Sequence, residues 1–235
     1  MLRVMNPGHR RPRGRPTLPL DKERVLEAAC LVFAEDGYSG ASLARIARRV
    51  GASKAALLYH YGTKEKLYMA ALAAVVGELH TFVAAAGRGR CDGLTRLDRL
   101  GKAVTGYLAS HPVAAKLLVS DIVLGGPFSR GPGRPILLAA LNATKALLEQ
   151  GMKEGAFSRG DAGQLAVSIA ALHLLYFAVG DLVGEFLAGD VLSPKLVRAR
   201  AKAVVAQARA LLLGGGEAQA TLASGRGKPQ ARRKP

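Results

Sequence analysis

Ser42-Leu-Ala-Arg-Ile-Ala-Arg-Arg-Val-Gly51-Ala-Ser53-Lys-Ala-Ala-Leu-Leu-Tyr-His-Tyr61 reads as two short helices joined by a glycine turn. In the first half, Leu43, Ile46, Ala47 and Val50 recur at i, i+3, i+4 and i+7, one apolar stripe of a helix. Gly51 stops that helix, because glycine accepts the left-handed conformation that follows many helix ends. Ser42 and Ser53 each precede a helical run, where a hydroxyl accepts a hydrogen bond from free backbone N–H groups. The second helix opens with Lys54, Ala55 and Ala56, a narrow end tipped by a cation that fits a DNA major groove. The spacing implies a helix-turn-helix.

Composition sets the frame around this motif. The chain has 235 residues, enough for one substantial domain or a small domain joined to a larger one. Half of it is hydrophobic, with few aromatics and no Trp, a balance that favours close-packed helices. The net charge of +17 calls for an anionic partner, nucleic acid or an acidic membrane surface. Residues 1–66 carry +7, residues 67–213 carry +6 and residues 214–235 carry +4, so charge is densest at the two ends. The N-terminal concentration lies beside the helix-turn-helix, which favours DNA.

Met1 to Leu20 carries five arginines and no apolar core of a signal peptide, and the expected location is the cytoplasm. Leu165 to Gly180 is too short for an ordinary membrane span and is expected to be a buried helix, so no membrane partner is expected. Cys30 and Cys91 stand in no metal-ligand spacing. The five histidines fall in unrelated segments, and no nucleophile elbow or phosphate-binding loop is present. Neither an enzyme, a cofactor nor a metal site is expected.

Four regions follow. Residues 1–19, rich in Arg, Gly and Pro, form a basic arm expected to be disordered. Residues 20–66 hold the reading head, beginning with a helix whose stripe is Val25, Ala28, Ala29, Val32 and Phe33, closed by Gly37. Residues 67–213 form a larger helical domain, and 214–235 a disordered basic tail. Thr63 caps a long fourth helix towards Phe82, and further helices are expected at about 94–109, 112–124, 134–155, 161–188 and 194–213. Period-2 alternation is scarce, so the expected fold is all-α.

Ala28-Ala29, Phe33, Gly37-Tyr38, Ile46-Ala47, Gly51-Ala52-Ser53-Lys54, Leu57 and Tyr59-His60-Tyr61-Gly62-Thr63-Lys64-Glu65-Lys66-Leu67 together resemble the DNA-binding domain of the TetR (tetracycline-repressor-like) family. Two residues depart from its usual pattern, Leu58 in place of Tyr and Tyr61 in place of Phe. The resemblance implies a three-helix reading head, a linking fourth helix, and a helical domain that dimerises and binds a small molecule. It also implies loss of operator affinity when that molecule binds.

The residues expected to meet DNA are Ser42, Arg45, Ser53, Lys54, Ala55, Tyr59, His60 and Lys64, with Leu57 and Tyr61 assigned to the core. Arg13 and Arg15, within Pro12-Arg-Gly-Arg-Pro16, resemble an AT-hook whose arginines spread into a narrow A·T minor groove; the alternative is a basic tail adding general charge. Polar residues in the apolar helices, Tyr107, Asn142, His173 and Tyr176, with Asp121 beside them, are the candidates for a small lipophilic effector. Residues 161–188, with small Ala166, Ala170, Gly180 and Gly184, pair with 194–213 as a dimer seam or else pack inside one chain; periodicity leaves both open. The function expected is a ligand-responsive homodimeric regulator, a repressor on a two-half-site operator. The alternative is an architectural DNA-binding protein without small-molecule control.

Overall fold

Asp21 accepts backbone hydrogen bonds from Glu23 and Arg24 at 3.1 and 3.3 Å, and there the helical part of the chain begins. The computed structural model describes residues 21–214, which contain eleven helices and no strand. The arm at 1–19, with Arg13 and Arg15, and all of the tail beyond Gly214 lie outside the described residues. The reading head comprises α1 (Lys22–Gly40), α2 (Leu43–Arg49) and α3 (Lys54–Tyr61). The larger part comprises α4 (Lys64–Ala86), α5 (Gly93–Ser110), α6 (Pro112–Leu124), α7 (Pro127–Arg130), α8 (Arg134–Lys153), α9 (Ala162–Ala178), α10 (Gly180–Phe186) and α11 (Pro194–Leu213).

Side-chain caps place most of the starts. Ser42, Ser53, Thr63, Asp92, Asp161 and Ser193 each accept from a backbone N–H in the first turn of the helix that follows. Proline opens α6, α7 and α11, where its missing N–H costs nothing. Gly37 leaves helical geometry at φ +70°, so the regular part of α1 ends where the sequence places its stop.

One expected helix is two. The run at 161–188 breaks at Val179, and α9 and α10 meet at 81°. Val191 folds over Gly180, where a β-carbon would stand 3.2 Å from its Cγ2, and Gly184 faces the Gly189 carbonyl. These glycines make room for the chain's own turn, and Ala166 is buried beside Leu97 and Leu148; the small residues expected to line a seam thus serve packing within one chain.

A single core joins the head to the larger part. Val25, Ala29, Val32 and Phe33 of α1 cluster with Ile46 and Ala47 of α2, Leu57 of α3, Leu67, Tyr68 and Leu72 of α4, and Ala115 and Leu118 of α6. α1 therefore rests on α4 and α6 at once. By length and apolarity α4 meets the requirement for a membrane span, yet its stripe of Leu67, Tyr68, Ala71, Leu72, Val75 and Val76 is buried within this helical core. A second cluster, with Leu97, Leu148, Phe157, Ala162, Ala208 and Leu212, closes the far end between α5, α8, α9 and α11.

Polar joints hold the helices in register. Asp121, 2% exposed, accepts from the Phe128 and Ser129 backbone at 3.2 and 2.7 Å and so caps α7. Its carboxylate occupies the space a side chain at Gly126 would take. Burial and this neighbouring carboxylate push the Tyr68 phenol above its ordinary range. His173 is buried with Nδ1 3.3 Å from the Thr105 hydroxyl, which reaches the Gly101 carbonyl at 2.9 Å.

Burial first, and then the Arg200 charge, lowers the His173 pKa from 6.5 to about 4. The folded chain thus refuses a proton that the unfolded chain takes up below pH 6.5. Stability is full above that pH and declines as pH falls towards 4, by about 3 kcal/mol for a shift of this size. Urea midpoints of the His173→Gln variant should fall less steeply than wild type between those limits. Equal slopes would assign the acid sensitivity elsewhere.

Candidate nucleic-acid interface

Leu57, 1% exposed, is the only fully buried residue of α3, and it anchors that helix on the head's core. Around it the helix is open. Lys54, Ala55, Leu58, Tyr59 and His60 are exposed, Tyr59 by 86%, while Tyr61 is half-buried against the core, as its assignment there requires. Ser53 Oγ accepts from the Ala56 N–H at 3.0 Å, leaving Lys54 and Ala55 at a capped, electropositive helix tip.

The turn before α3 is tight. Gly51 takes φ +69°, a left-handed conformation, and the Ala52 N–H donates to the Ala47 carbonyl at 2.9 Å. Ser42 is exposed and caps α2 through the Arg45 N–H at 3.4 Å. Both capped ends and the exposed face of α3 thus belong to one small, rigid unit. Tyr59 and His60 stand edge to face, ring centroids 5.4 Å apart.

Two expected contacts have other partners. Arg45 reaches back to α1, where its guanidinium bonds Glu35 and Asp36, and Arg49 lies 3.5 Å from Glu35. It is an interhelix tie in this structure, which leaves Arg48 as the exposed cation of α2 without an ion-pair partner among the described residues. The acidic pair Glu35-Asp36 towards the end of α1, followed by three arginines on α2, is the sequence signal that could have paired Arg45 with α1. Lys64 donates to the Ser39 carbonyl at 3.1 Å and lies 4.9 Å from the Tyr38 ring centre, fixed on the connector between α1 and α2.

The four effector candidates do not gather. Tyr107 is fully buried, its hydroxyl 3.0 Å from the Val75 carbonyl and 3.3 Å from Glu78, and its ring stacks on His111. His173 is held by Thr105, Asn142 is exposed on α8, and Tyr176 lies under the Arg200 guanidinium at 4.5 Å. The polar atoms of Tyr107 and His173 are already paired within the fold.

Neither of two clefts is lined by any of the four. One, of about 400 Å³, lies at the α9–α10 elbow between Val113, Lys116, Phe177, Asp181, Val191 and Leu192. The other, of about 470 Å³, is a groove between α9 and α11 at Ser168, Leu172, Gln207, Ala210 and Leu211.

Comparison with known proteins matches this geometry. Residues 25–71 fit the family model of bacterial regulatory proteins, tetR family, and residues 94–207 that of the tetracyclin repressor-like C-terminal domain. The HTH-type transcriptional repressor NicS of Pseudomonas putida is 24% identical over 174 residues, 72% of this chain and 82% of that protein. AcnR, an HTH-type transcriptional repressor of Corynebacterium efficiens, is 43% identical over 49 residues, 21% of this chain and only 26% of that protein. Among solved structures, a tetR-family regulatory protein from Rhodococcus RHA1 superposes with TM-score 0.69 at 21% identity, over 82% of this chain and 96% of that one. FadR of Bacillus subtilis, in complex with stearoyl-CoA, gives 0.64 at 17% identity, over 79% and 98%.

Replacing Lys54 by Ala should weaken binding to a cognate duplex by about 1–3 kcal/mol if the side chain reads a base, and weaken all duplexes alike if it meets a phosphate. Tyr59→Phe should also weaken binding. Both side chains are exposed, so circular dichroism and mass in solution should not change. Titrations at fixed salt that show no loss in either variant would remove both residues from the interface.

Proposed function

Because the chain belongs to the TetR family of transcriptional regulators, we propose that it is a homodimeric repressor whose two α3 helices enter successive major grooves of one operator. The observation that carries this is the capped, open α3, with Lys54, Ala55, Tyr59 and His60 exposed around a single buried anchor. Ser42 and Ser53 bring two helix N-termini to the same surface, where backbone N–H groups meet phosphates. Arg48 adds general attraction, Arg45 and Lys64 contact DNA only on leaving their present partners, and Arg13 and Arg15 extend the reach to a flanking minor groove.

A dimer through α9 and α11 supplies the twofold symmetry. Ser168, Ala171, Leu175, Ala203, Ala210 and Leu211 are exposed, small or apolar, and suited to a four-helix seam. Two heads then address half-sites about 34 Å apart.

Control comes from α1. Since it rests on α4 and α6 together, any ligand that moves one of these helices tilts the head. The elbow cleft, lined by Val113, Phe177 and Val191 with Lys116 and Asp181 at its polar side, touches the first turns of α6 and has the volume of an ordinary small-molecule site. A lipophilic effector with a polar end suits that lining, and the stearoyl-CoA bound to the similarly folded FadR is of this kind. To take the protein from 99% to 1% competent the effector must prefer the released state by about 5.5 kcal/mol.

A second reading, an architectural protein, is favoured by the net charge of +17. Selection from random duplexes with the full-length protein separates the two. A repressor should enrich a twofold-symmetric site with half-sites about one helical turn apart, bound at least about 1,000-fold more tightly than a scrambled duplex. Screened lipophilic compounds that raise the melting temperature should then release that site. Equal affinity for selected and scrambled duplexes would favour the architectural reading.

A further inference from the structure

α10 stands out from its surroundings. It turns away from α9 by 81° and contains no buried residue. Its glycine side, Gly180 and Gly184, is covered by Val191 of the same chain, whereas Leu182 and Phe186 on other faces are 67% and 86% exposed. Leu187, 41% exposed, extends the apolar surface. A projecting helix with a large aromatic in water is a surface that a partner covers.

Charge says which partner. The charged residues of α10 are both acidic, Asp181 and Glu185. α11 has no acidic residue, and its first half carries Lys195, Arg198, Arg200 and Lys202. Among the described residues none of these six makes an ion pair within 4.0 Å, so the two helices do not neutralise each other within one chain.

Arg200 is the most demanding of them. Its guanidinium lies over the Tyr176 ring at 4.5 Å and donates to the Leu172 carbonyl, and its Nε is buried with no hydrogen-bond partner. Two contacts hold the plane in place while leaving the charge without a carboxylate. Burial lowers the pKa of this group, the mark of a cation short of compensation.

We infer that α10 of one protomer is an arm that clasps the basic half of α11 of the second copy. Leu182 and Phe186 lie on the partner's apolar α9–α11 face, and Asp181 and Glu185 face Arg198 and Arg200 there. The inference rests on the homodimer proposed above and deepens it: the arm adds, at the basic half of α11, a second contact to the α9–α11 seam. Opposite charges facing each other also fix the register of the two protomers.

Sedimentation of the full-length protein over a concentration series tests the clasp. Wild type should be a dimer whose dissociation constant rises with salt, because part of the contact is between charges. Phe186→Ser should raise that constant at least about tenfold, as the loss of a buried aromatic anchor does. Asp181→Lys with Glu185→Lys should raise it similarly, and adding Arg198→Glu in the same chain should recover part of the loss.

A covalent readout covers the case in which a variant misfolds. With Cys91 replaced by Ser and Cys30 buried, chains bearing Glu185→Cys are mixed with tagged chains bearing Arg198→Cys and treated with a short bismaleimide. A cross-linked pair of unlike chains is expected. Wild-type dimers with unchanged constants in the arm variants, or no cross-link between unlike chains, would overturn the clasp and leave the dimer standing. A wild-type monomer would overturn both.

Discussion

Val25, Ala29, Val32 and Phe33 bind α1 to α4 and α6 in one continuous apolar cluster, and that contact carries the reading head on the larger part. α2 and α3 bury little of their own; Ile46 and Ala47 join the cluster beside α1, and Leu57 joins it between α2 and α4. A three-helix head of this size has too small a core to be independent of its support. The direction in which α3 points is therefore decided by the helices of the larger part. Any change in their packing is a change in where the α3 tip stands.

The polar joints around this cluster have a shared logic. Asp121 ties α6 to α7, with Tyr68 of α4 against it, while Tyr68 also packs on Phe33 and Tyr38 with ring centres 4.8 and 4.9 Å away. The chain of contacts from the end of α1 through α4 to α7 is thus aromatic on one side and charged on the other. Aromatic contacts tolerate sliding, whereas a buried carboxylate does not tolerate the loss of its donors.

Much of this was legible in the sequence because it is local. Caps at Ser42, Ser53 and Thr63, the stop at Gly51 and the stripe of α1 are all decided within four residues of backbone. The break at Val179 was not legible, since apolar periodicity runs through it and only the fold of Val191 over Gly180 reveals the turn. The ion pairs of Arg45 were hidden for a related reason: its partners Glu35 and Asp36 lie in another helix, and helical spacing says nothing of what faces a residue across a junction. The partners of Tyr107 and His173 were likewise out of sight, since their polar atoms answer to Val75, Glu78 and Thr105, distant in the chain.

The solitary anchor of α3 has an evolutionary consequence. With Leu57 the only fully buried residue among eight, most of the remaining positions can change side chain without opening a cavity or stranding a buried polar group. The surface of α3 can then drift, or be redesigned, with little cost in folding. A chain that keeps Leu57 and the flanking caps keeps the frame, and the same frame can serve as a host for transplanted side chains.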